Sequence, residues 1–264
     1  MRLVDAHNHL QDPRFDSDRE IVIREMRAEG ICHAVVNGTR ESDWQAVLSL
    51  CRNYPGFLSP ALGLHPWHVA SRGAAWLETL RHELAATDNS TIGECGLDLW
   101  KQPADLADQL HVLRAHFQLA RELGKPLTLH CLKAWQPLWD CLKLSETLPP
   151  FLLHSFAGPP TMIPALVRRG AYFSLSGYFL AERKAKTQQA FSQIPLDRIL
   201  VESDAPDMAP PREFRGHYHR DDYHHPADLL SCVQALAGVK GMPVDECADM
   251  CWRNTQRWLG RTLP

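Results

Sequence analysis

"LADQLHVLRAHFQLARELGKPLTLH", residues 106–130, decides the fold class. Leu106, Leu110, Leu113 and Phe117 recur at helical spacing, and Gly124 stands where a C-terminal cap belongs. Two residues later the pattern changes. "PLTLH" (126–130) is a short apolar run that is too brief for a helix and ends on a histidine. The same alternation runs along the whole chain. Candidate strands are "LVDAH" (3–7), "HAVVNGT" (33–39), "LSPALGLH" (58–65), "STIGECG" (90–96), "PLTLH", "FLLH" (151–154), "AYFSLSG" (171–177) and "RILVESD" (198–204). Helical patterns lie near 17–29, 41–53, 74–87, 106–124, 134–145, 160–169, 182–193, 226–238 and 243–259. Strands alternating with helices make a parallel sheet, and eight such units predict an α/β fold, a closed (β/α)8 TIM barrel. No break in composition divides residues 1–264, so a single domain is expected.

The totals agree with this size class. The 264 residues are close to the ~250 typical of such barrels. An apolar fraction of 45% fills a sizeable core, and a formal net charge of −3 excludes a global positive field that would draw the chain onto nucleic acid. The first residues are already strand-like, so no secretory signal is read, and no apolar run is long enough to cross a membrane. The eight cysteines, Cys32, Cys51, Cys95, Cys131, Cys141, Cys232, Cys247 and Cys251, mostly sit in apolar periodic segments. They read as reduced core thiols in a cytoplasmic protein, and the lone Cys247/Cys251 pair is weak evidence for zinc. Nothing in the sequence calls for an obligate protein partner.

Polar residues recur at one end of the strands. His7 and His9 close the first run in "VDAHNHL" (4–10), one residue apart, so in an extended segment both rings point to the same side. His65, Glu94, His130, His154 and Asp204 close later runs, each one or two strand–helix units from the last. In a barrel, successive C-terminal strand ends converge on one mouth, where barrel enzymes place their chemistry. A single strand-end histidine is a common structural group; six or seven in phase are not explained by packing. Histidines and carboxylates without thiolate suit two divalent metals, Zn, Mg or Mn, that share a bridging carboxylate. Cys95 and Cys131 neighbour this set, but alternation turns them away from the mouth.

With these residues in place, the chain resembles the TatD family of metal-dependent hydrolases, the TatD-type DNases of the amidohydrolase superfamily. The resemblance covers nearly the whole chain and rests on "DAHNHL" (5–10), "ALGLHP" (61–66), "IGECGLD" (92–98), "PLTLHC" (126–131), "LLHSFAG" (152–158) and "VESDAP" (201–206). It implies that His7, His9, Glu94 and Asp204 hold one metal, that Glu94 bridges to a second held by His130 and His154, and that His65 contacts the substrate phosphate. Three departures concern the substrate. Many relatives carry Arg two residues after the fifth-strand His, where this chain has Leu132 and then Lys133. Lys133 is read either as a replacement phosphate contact or as a solvated helix start. "ESDAP" replaces the common "ETDAP", and "HYHRDDYHHPADL" (217–229) lacks the Asn of an Arg-Asn-x-Pro pattern.

The implied activity is a metal-dependent deoxyribonuclease or phosphodiesterase that acts on DNA ends or single strands with a metal-activated water. Asp204 is read as ligand and proton acceptor, with ligand only as the alternative. Glu202 is a group behind the ligands or a buried structural carboxylate. Asp98 orients a loop. Trp67, Trp100, Trp135, Phe156 and Tyr178 follow strand ends and are either stacking surfaces for bases or packing residues. Arg212, Arg215, His217, His219, Arg220, His224 and His225 form the densest basic run, interrupted by Asp221 and Asp222. That run is read as a phosphate groove or a solvated mixed-charge loop. The competing activity is an amidohydrolase that cleaves a C–N or ester bond of a small molecule at the same centre.

Overall fold

In the computed structural model, the described residues are 1–218, 220 and 223–263. Eight strands form one sheet in sequence order: β1 Leu3–Asn8, β2 Ile31–Asn37, β3 Leu58–Leu62, β4 Thr91–Asp98, β5 Leu127–Leu132, β6 Phe151–Leu153, β7 Ala171–Ser176 and β8 Ile199–Glu202. Every neighbouring pair is parallel. The ring closes where the Asp204 N–H donates to the His7 carbonyl (2.9 Å) and the His9 N–H to the Ala205 carbonyl (2.7 Å). The fold is therefore the expected (β/α)8 barrel. All residues of β1, β3, β4, β6, β7 and β8 are buried, as strands covered on both faces must be.

The outer layer is α1 Arg19–Ala28, α2 Glu41–Asn53, α3 Trp76–Ala85, α4 Leu106–Leu123, α5 Trp135–Leu144, α6 Ile163–Arg168, α7 Ala185–Ala190, α8 Leu229–Lys240 and α9 Val244–Leu259. The helix in the deciding stretch begins on Asp105, whose side chain accepts the Asp108 N–H, and ends on Gly124 at φ 63. Two expected helices are shorter than the sequence suggested. Residues 160–169 open with a 3-10 turn and give only α6, with Pro164 in its first turn, and 182–193 give α7 flanked by 3-10 turns. Five strands also end before their expected limits, β2 and β7 by one or two residues. β3, β6 and β8 end at Leu62, Leu153 and Glu202, so His65, His154 and Asp204 lie just past strand ends.

The barrel interior is layered. Val4, Ala6, Val35, Ala61, Leu152, Tyr172 and Leu200 pack with Trp252, Trp258 and Leu259 of α9. The Trp258 indole N–H donates to the carbonyl of Leu127, the first residue of β5, at 3.2 Å, so α9 stoppers the N-terminal end. The converging histidines and carboxylates lie at the opposite mouth, while buried His33 bonds Ser59 (3.0 Å) near the start of β2 and β3. All eight cysteines are free and seven are buried; Cys95 and Cys131 lie in the hydrophobic cluster between sheet and helices. No helix among the described residues is long and apolar enough to cross a membrane.

Candidate metal centre at the barrel mouth

Local backbone geometry aims each polar side chain inward. Alternation along β1 buries His7, and His9 follows as the chain leaves the strand. Glu94 sits in β4 between two glycines. A Cβ on Gly96 (φ 147) would lie 2.0 Å from the His130 carbonyl oxygen, so this strand approaches β5 more closely than any side chain permits. Asp204 occupies the left-handed region at φ 55, which Asp tolerates better than most residues, and this turns its carboxylate back over the mouth.

Two groups of donor atoms result. His7 Nε2 lies 3.2 Å from His9 Nε2, 3.3 Å from Glu94 Oε2 and 3.5 Å from Asp204 Oδ1; His9 Nε2 lies 3.4 Å and 3.5 Å from the same two oxygens. A cation ~2.1 Å from four donors at tetrahedral positions holds them about 3.4 Å apart, so these atoms form a ready cation cage. On the other side, Glu94 Oε1 lies 2.9 Å from His130 Nδ1, 2.8 Å from His154 Nε2 and 3.3 Å from His65 Nε2, with His130 Nδ1 and His154 Nε2 3.1 Å apart. Neighbouring ligands of an octahedral ion at ~2.1 Å stand about 3.0 Å apart, which suits the first two histidines with Glu94. The site fits a divalent cation by donor type and by spacing.

Hydrogen bonds at the far nitrogens decide which histidines can be ligands. His9 Nδ1–H donates to the Asn37 carbonyl (2.7 Å), which leaves Nε2 a lone pair. His130 Nε2–H donates to Asp98 Oδ2 (3.0 Å), which frees Nδ1. His154 Nδ1 faces Glu202 Oε1 at 3.5 Å, an ion-pair distance without hydrogen-bond geometry. His65 is the reverse case. Its Nδ1 accepts the Trp67 backbone N–H at 3.1 Å, so the neutral ring carries its proton on Nε2. Spacing alone groups His65 with Glu94 and His130 as a cation cage. The tautomer outweighs the spacing: His65 presents an N–H, a donor for an anion, where a ligand needs a lone pair.

The charges show what the site lacks. Burial works against ionising Glu94, yet His154, His65 and His7 hold its pKa well below the usual carboxylate range. Burial likewise opposes protonation of His9, but Asp204 and Glu94 push it up to about 9. His130 is raised against burial by Asp98 and Glu94, and His154 against burial by Glu94 and Glu202. His65 stays neutral, pushed down to about 4 by burial despite Glu94. Protons on imidazoles are thus doing what a cation would do for the facing carboxylates.

Two carboxylates stand behind the candidate ligands, Asp98 at His130 and Glu202 at His154. Asp98 does orient its loop, accepting the backbone N–H groups of Trp100 (2.7 Å) and Lys101 (3.1 Å), but it also holds His130. Glu202 accepts both the N–H and the hydroxyl of Ser155 at 2.7 Å and the Ser174 hydroxyl, while facing His154. Its position two residues before Asp204 was the signal available. Ser203 of "ESDAP" donates its hydroxyl to Asp5 Oδ2 at 2.6 Å, a bond that threonine also supplies, so this departure is neutral.

Other expectations divide. Lys133 is exposed at φ 56 in the turn between β5 and α5, with no ion-pair partner among the described residues. Trp67 and Trp100 are exposed. Phe156 is fully buried against Phe173 and Trp135 (ring centroids 4.9 and 5.1 Å), so it belongs to the core and offers no stacking surface. Tyr178 is half-buried beside Arg183 and Lys184. Among the described residues the basic run divides: its C-terminal part is tied down and its N-terminal part is exposed. Arg220 pairs with Asp18 (3.3 Å) and Glu25 (3.2 Å), His225 with Glu25 (2.9 Å), and His224 Nδ1 bonds the Asp207 carbonyl, pinning the segment to α1 and to its own loop. Arg215 bonds the Pro210 carbonyl, and exposed His217 lies 4.0 Å from Glu29. Arg212 remains exposed. His219, Asp221 and Asp222 lie outside the described residues.

Comparison with known proteins agrees over the full length. The model of the family described as "TatD related DNase" matches residues 4–260. The 3'-5' ssDNA/RNA exonuclease TatD of Erwinia tasmaniensis is 30% identical over 257 residues, covering 97% of this chain and 98% of that one. The deoxyribonuclease TATDN3 of Homo sapiens is 28% identical over 264 residues, covering 96% of this chain and 92% of its own. The crystal structure of YjjV, a TatD homolog from Escherichia coli K12, matches with a TM-score of 0.88 at 27% identity over 97% of each chain.

Proposed function

The chain belongs to the TatD-related DNase family, and on that premise we propose that it is a divalent-metal-dependent phosphodiesterase that removes nucleotides from the ends of single-stranded DNA. The observation that carries this reading is Glu94, whose two oxygens face different donor groups: Oε2 faces His7 and His9, and Oε1 faces His130 and His154. A carboxylate so placed would serve two cations, one through each oxygen. His7, His9, Glu94 and Asp204 would hold one; Glu94, His130 and His154 the other. Imidazole nitrogen with carboxylate oxygen suits Zn, Mn or Mg.

Bound there, the two ions supply Lewis acidity and a hydroxide near neutral pH. The remaining work falls to the chain. His65 Nε2–H, kept neutral by burial, donates to a non-bridging phosphate oxygen. Asp204 keeps a carboxylate, held below its usual pKa against burial by His9 and His7, and accepts the proton of the attacking water. Asp98 fixes the ring of His130 by a hydrogen bond, and Glu202 faces His154 at ion-pair distance. Lys133 offers an unpaired ammonium at the rim to a neighbouring phosphate. Eight free cysteines suit a reducing compartment such as the cytoplasm.

The test loads the protein with Zn, Mn or Mg and offers end-labelled single-stranded DNA beside a panel of small amides and esters. Stepwise shortening of the oligonucleotide with at least one ion is expected. Turnover of an amide or ester with none of the oligonucleotide would overturn the reading in favour of a small-molecule amidohydrolase.

A further inference from the structure

At the rim between β3–α3 and β4–α4 lies a feature that the metal chemistry does not use. Trp67 is 44% exposed, unusual for so large an apolar ring, yet it is not free to move. Its indole N–H donates to Asp98 Oδ2 at 2.8 Å, and its backbone N–H is held by His65. The ring stands 5.0 Å from the His65 ring, edge to face. Lys101 Nζ lies 4.1 Å from its centroid and has no ion-pair partner among the described residues. Beside it opens a recess of about 210 Å³ walled by Pro66, Trp67, Val69, Lys101, Gln102 and Pro103.

We propose that Trp67 and this recess hold the base of the nucleotide adjoining the phosphate at the metal centre. The proposal rests on the nuclease reading above and specifies how the strand is seated. The recess is smaller than the ~300–1,000 Å³ that admits a drug-sized ligand, which suits one flat ring. Stacking on a pre-positioned indole costs little ordering, because the hydrogen bond to Asp98 already fixes the ring. The ammonium of Lys101 covers one face of the indole, which leaves the opposite face to the base and sets a positive charge beside the sugar–phosphate backbone of a seated strand.

The other polar groups in the walls are spoken for. The Gln102 amide donates to the Leu99 carbonyl and accepts the Ala104 N–H; Asp108 is clamped by Arg72, and Asp105 caps α4. Among the described wall side chains only the Lys101 ammonium is left to meet a base edge, so the subsite takes a base chiefly by its face. Trp67 and His130 also share one acceptor oxygen, Asp98 Oδ2, which ties the seated base to the ring that faces Glu94.

That shared oxygen means a simple truncation changes two things at once, so the experiment varies the substrate as well. Loaded enzyme, wild type and Trp67→Leu, is given an oligonucleotide with all its bases and the same oligonucleotide with an abasic residue on either side of the terminal phosphodiester. Wild type should lose about 5- to 150-fold in kcat/KM when the stacked base is removed. Trp67→Leu should lose less than about 2-fold from the same removal, because its platform is gone, whatever its own baseline. Trp67→Phe should recover much of the base dependence. In case the leucine variant turns over too slowly, anisotropy of a labelled oligonucleotide with a methylphosphonate at its terminal linkage gives the same comparison by binding. Equal base dependence in wild type and Trp67→Leu overturns the subsite while the nuclease stands. A wild type that shortens no oligonucleotide overturns the nuclease reading, and the subsite with it.

Discussion

Asp98→Asn should weaken one of the two proposed metal sites and spare the other. Asp98 Oδ2 accepts the His130 Nε2–H (3.0 Å) and the Trp67 indole N–H (2.8 Å), while Oδ1 accepts the backbone N–H groups of Trp100 and Lys101. Burial resists ionisation of this carboxyl, but His130 and those backbone donors hold its pKa well below the usual carboxylate range. Asparagine keeps one oxygen. Whichever way the amide turns, its NH2 faces two donors, so two hydrogen bonds become repulsive. If the NH2 faces His130, the relieved tautomer moves the ring proton to Nδ1, which points at Glu94 Oε1 2.9 Å away. The ring then donates to Glu94 and offers no lone pair. Losing such an orienting carboxylate costs ~10–100-fold in metal affinity, or about 1.4–2.7 kcal/mol. His7, His9 and Asp204 touch none of these groups and should bind as before. The assay is competition with a chromogenic chelator, with metal counted after dialysis. One of two classes of ion should weaken by that factor, with the melting temperature followed as a check on the loop. Two ions bound within two-fold of wild type would refute the assignment of Asp98 as the group that fixes His130.

Asp204→Asn keeps the left-handed backbone that Asn also tolerates, so it should retain most bound metal yet lose ~10²–10⁴-fold in kcat; turnover within a few-fold of wild type would reduce Asp204 to a ligand. Metal binding near neutral pH should release about one proton or more, because His9 is pushed up to about 9 and the pKa values of His130 and His154 are also raised by the facing carboxylates; calorimetry in buffers of different ionisation enthalpy counts them, and a release below about one proton contradicts the charge balance drawn above. His116, buried with its pKa pushed from 6.5 down to about 4 by burial, is protonated first in the unfolded chain, so its contribution is complete above pH 6.5 and fades as pH falls towards 4. That acid loss amounts to at most ~3 kcal/mol, and urea melts of His116→Gln should show a flatter pH profile over the same window. Gly96→Ala forces a methyl against the His130 carbonyl and should destabilise by roughly 3 kcal/mol in urea; a neutral result would mean β4 and β5 separate easily.

The barrel and the cluster were legible because both repeat. Each strand–helix unit writes the same alternation, and His7, His130, Glu94 and their counterparts fall at the same phase of it, so one reading checks the next. What was not legible depends on partners far away in the chain. The basic run 212–225 has the composition of a phosphate groove. Two of its members, Arg220 and His225, are met by Asp18 and Glu25 of the first helical unit, roughly 200 residues earlier, and no local pattern announces that. Phe156 and Trp67 both follow strand ends. Only the structure separates them: the Phe156 N–H bonds back to the Ser174 carbonyl and its ring enters the wall, while Trp67 is pinned outward by Asp98. The ligand-orienting bonds are harder still, since the acceptor for His9 is the carbonyl of Asn37, a backbone group with no letter of its own.

The same redistribution of charge bears on how a polyanion can be held. In a chain with net charge −3, Arg220 and His225 of the densest basic segment are paired with Asp18 and Glu25, which leaves fewer of its charges for phosphates. Among the described residues, Lys133, Lys101 and the exposed Arg212 stand in mouth loops without an ion-pair partner, beside the proposed metal ions. A duplex nuclease that reads the backbone needs several phosphate contacts for affinity, each adding to its salt dependence. Here the attraction must be concentrated on about one phosphate at the metals, with a base face on Trp67 replacing the missing ionic contacts. That division of labour favours a free, unpaired end, because only an unpaired nucleotide can put its phosphate into the mouth and lay its base against a ring on the rim.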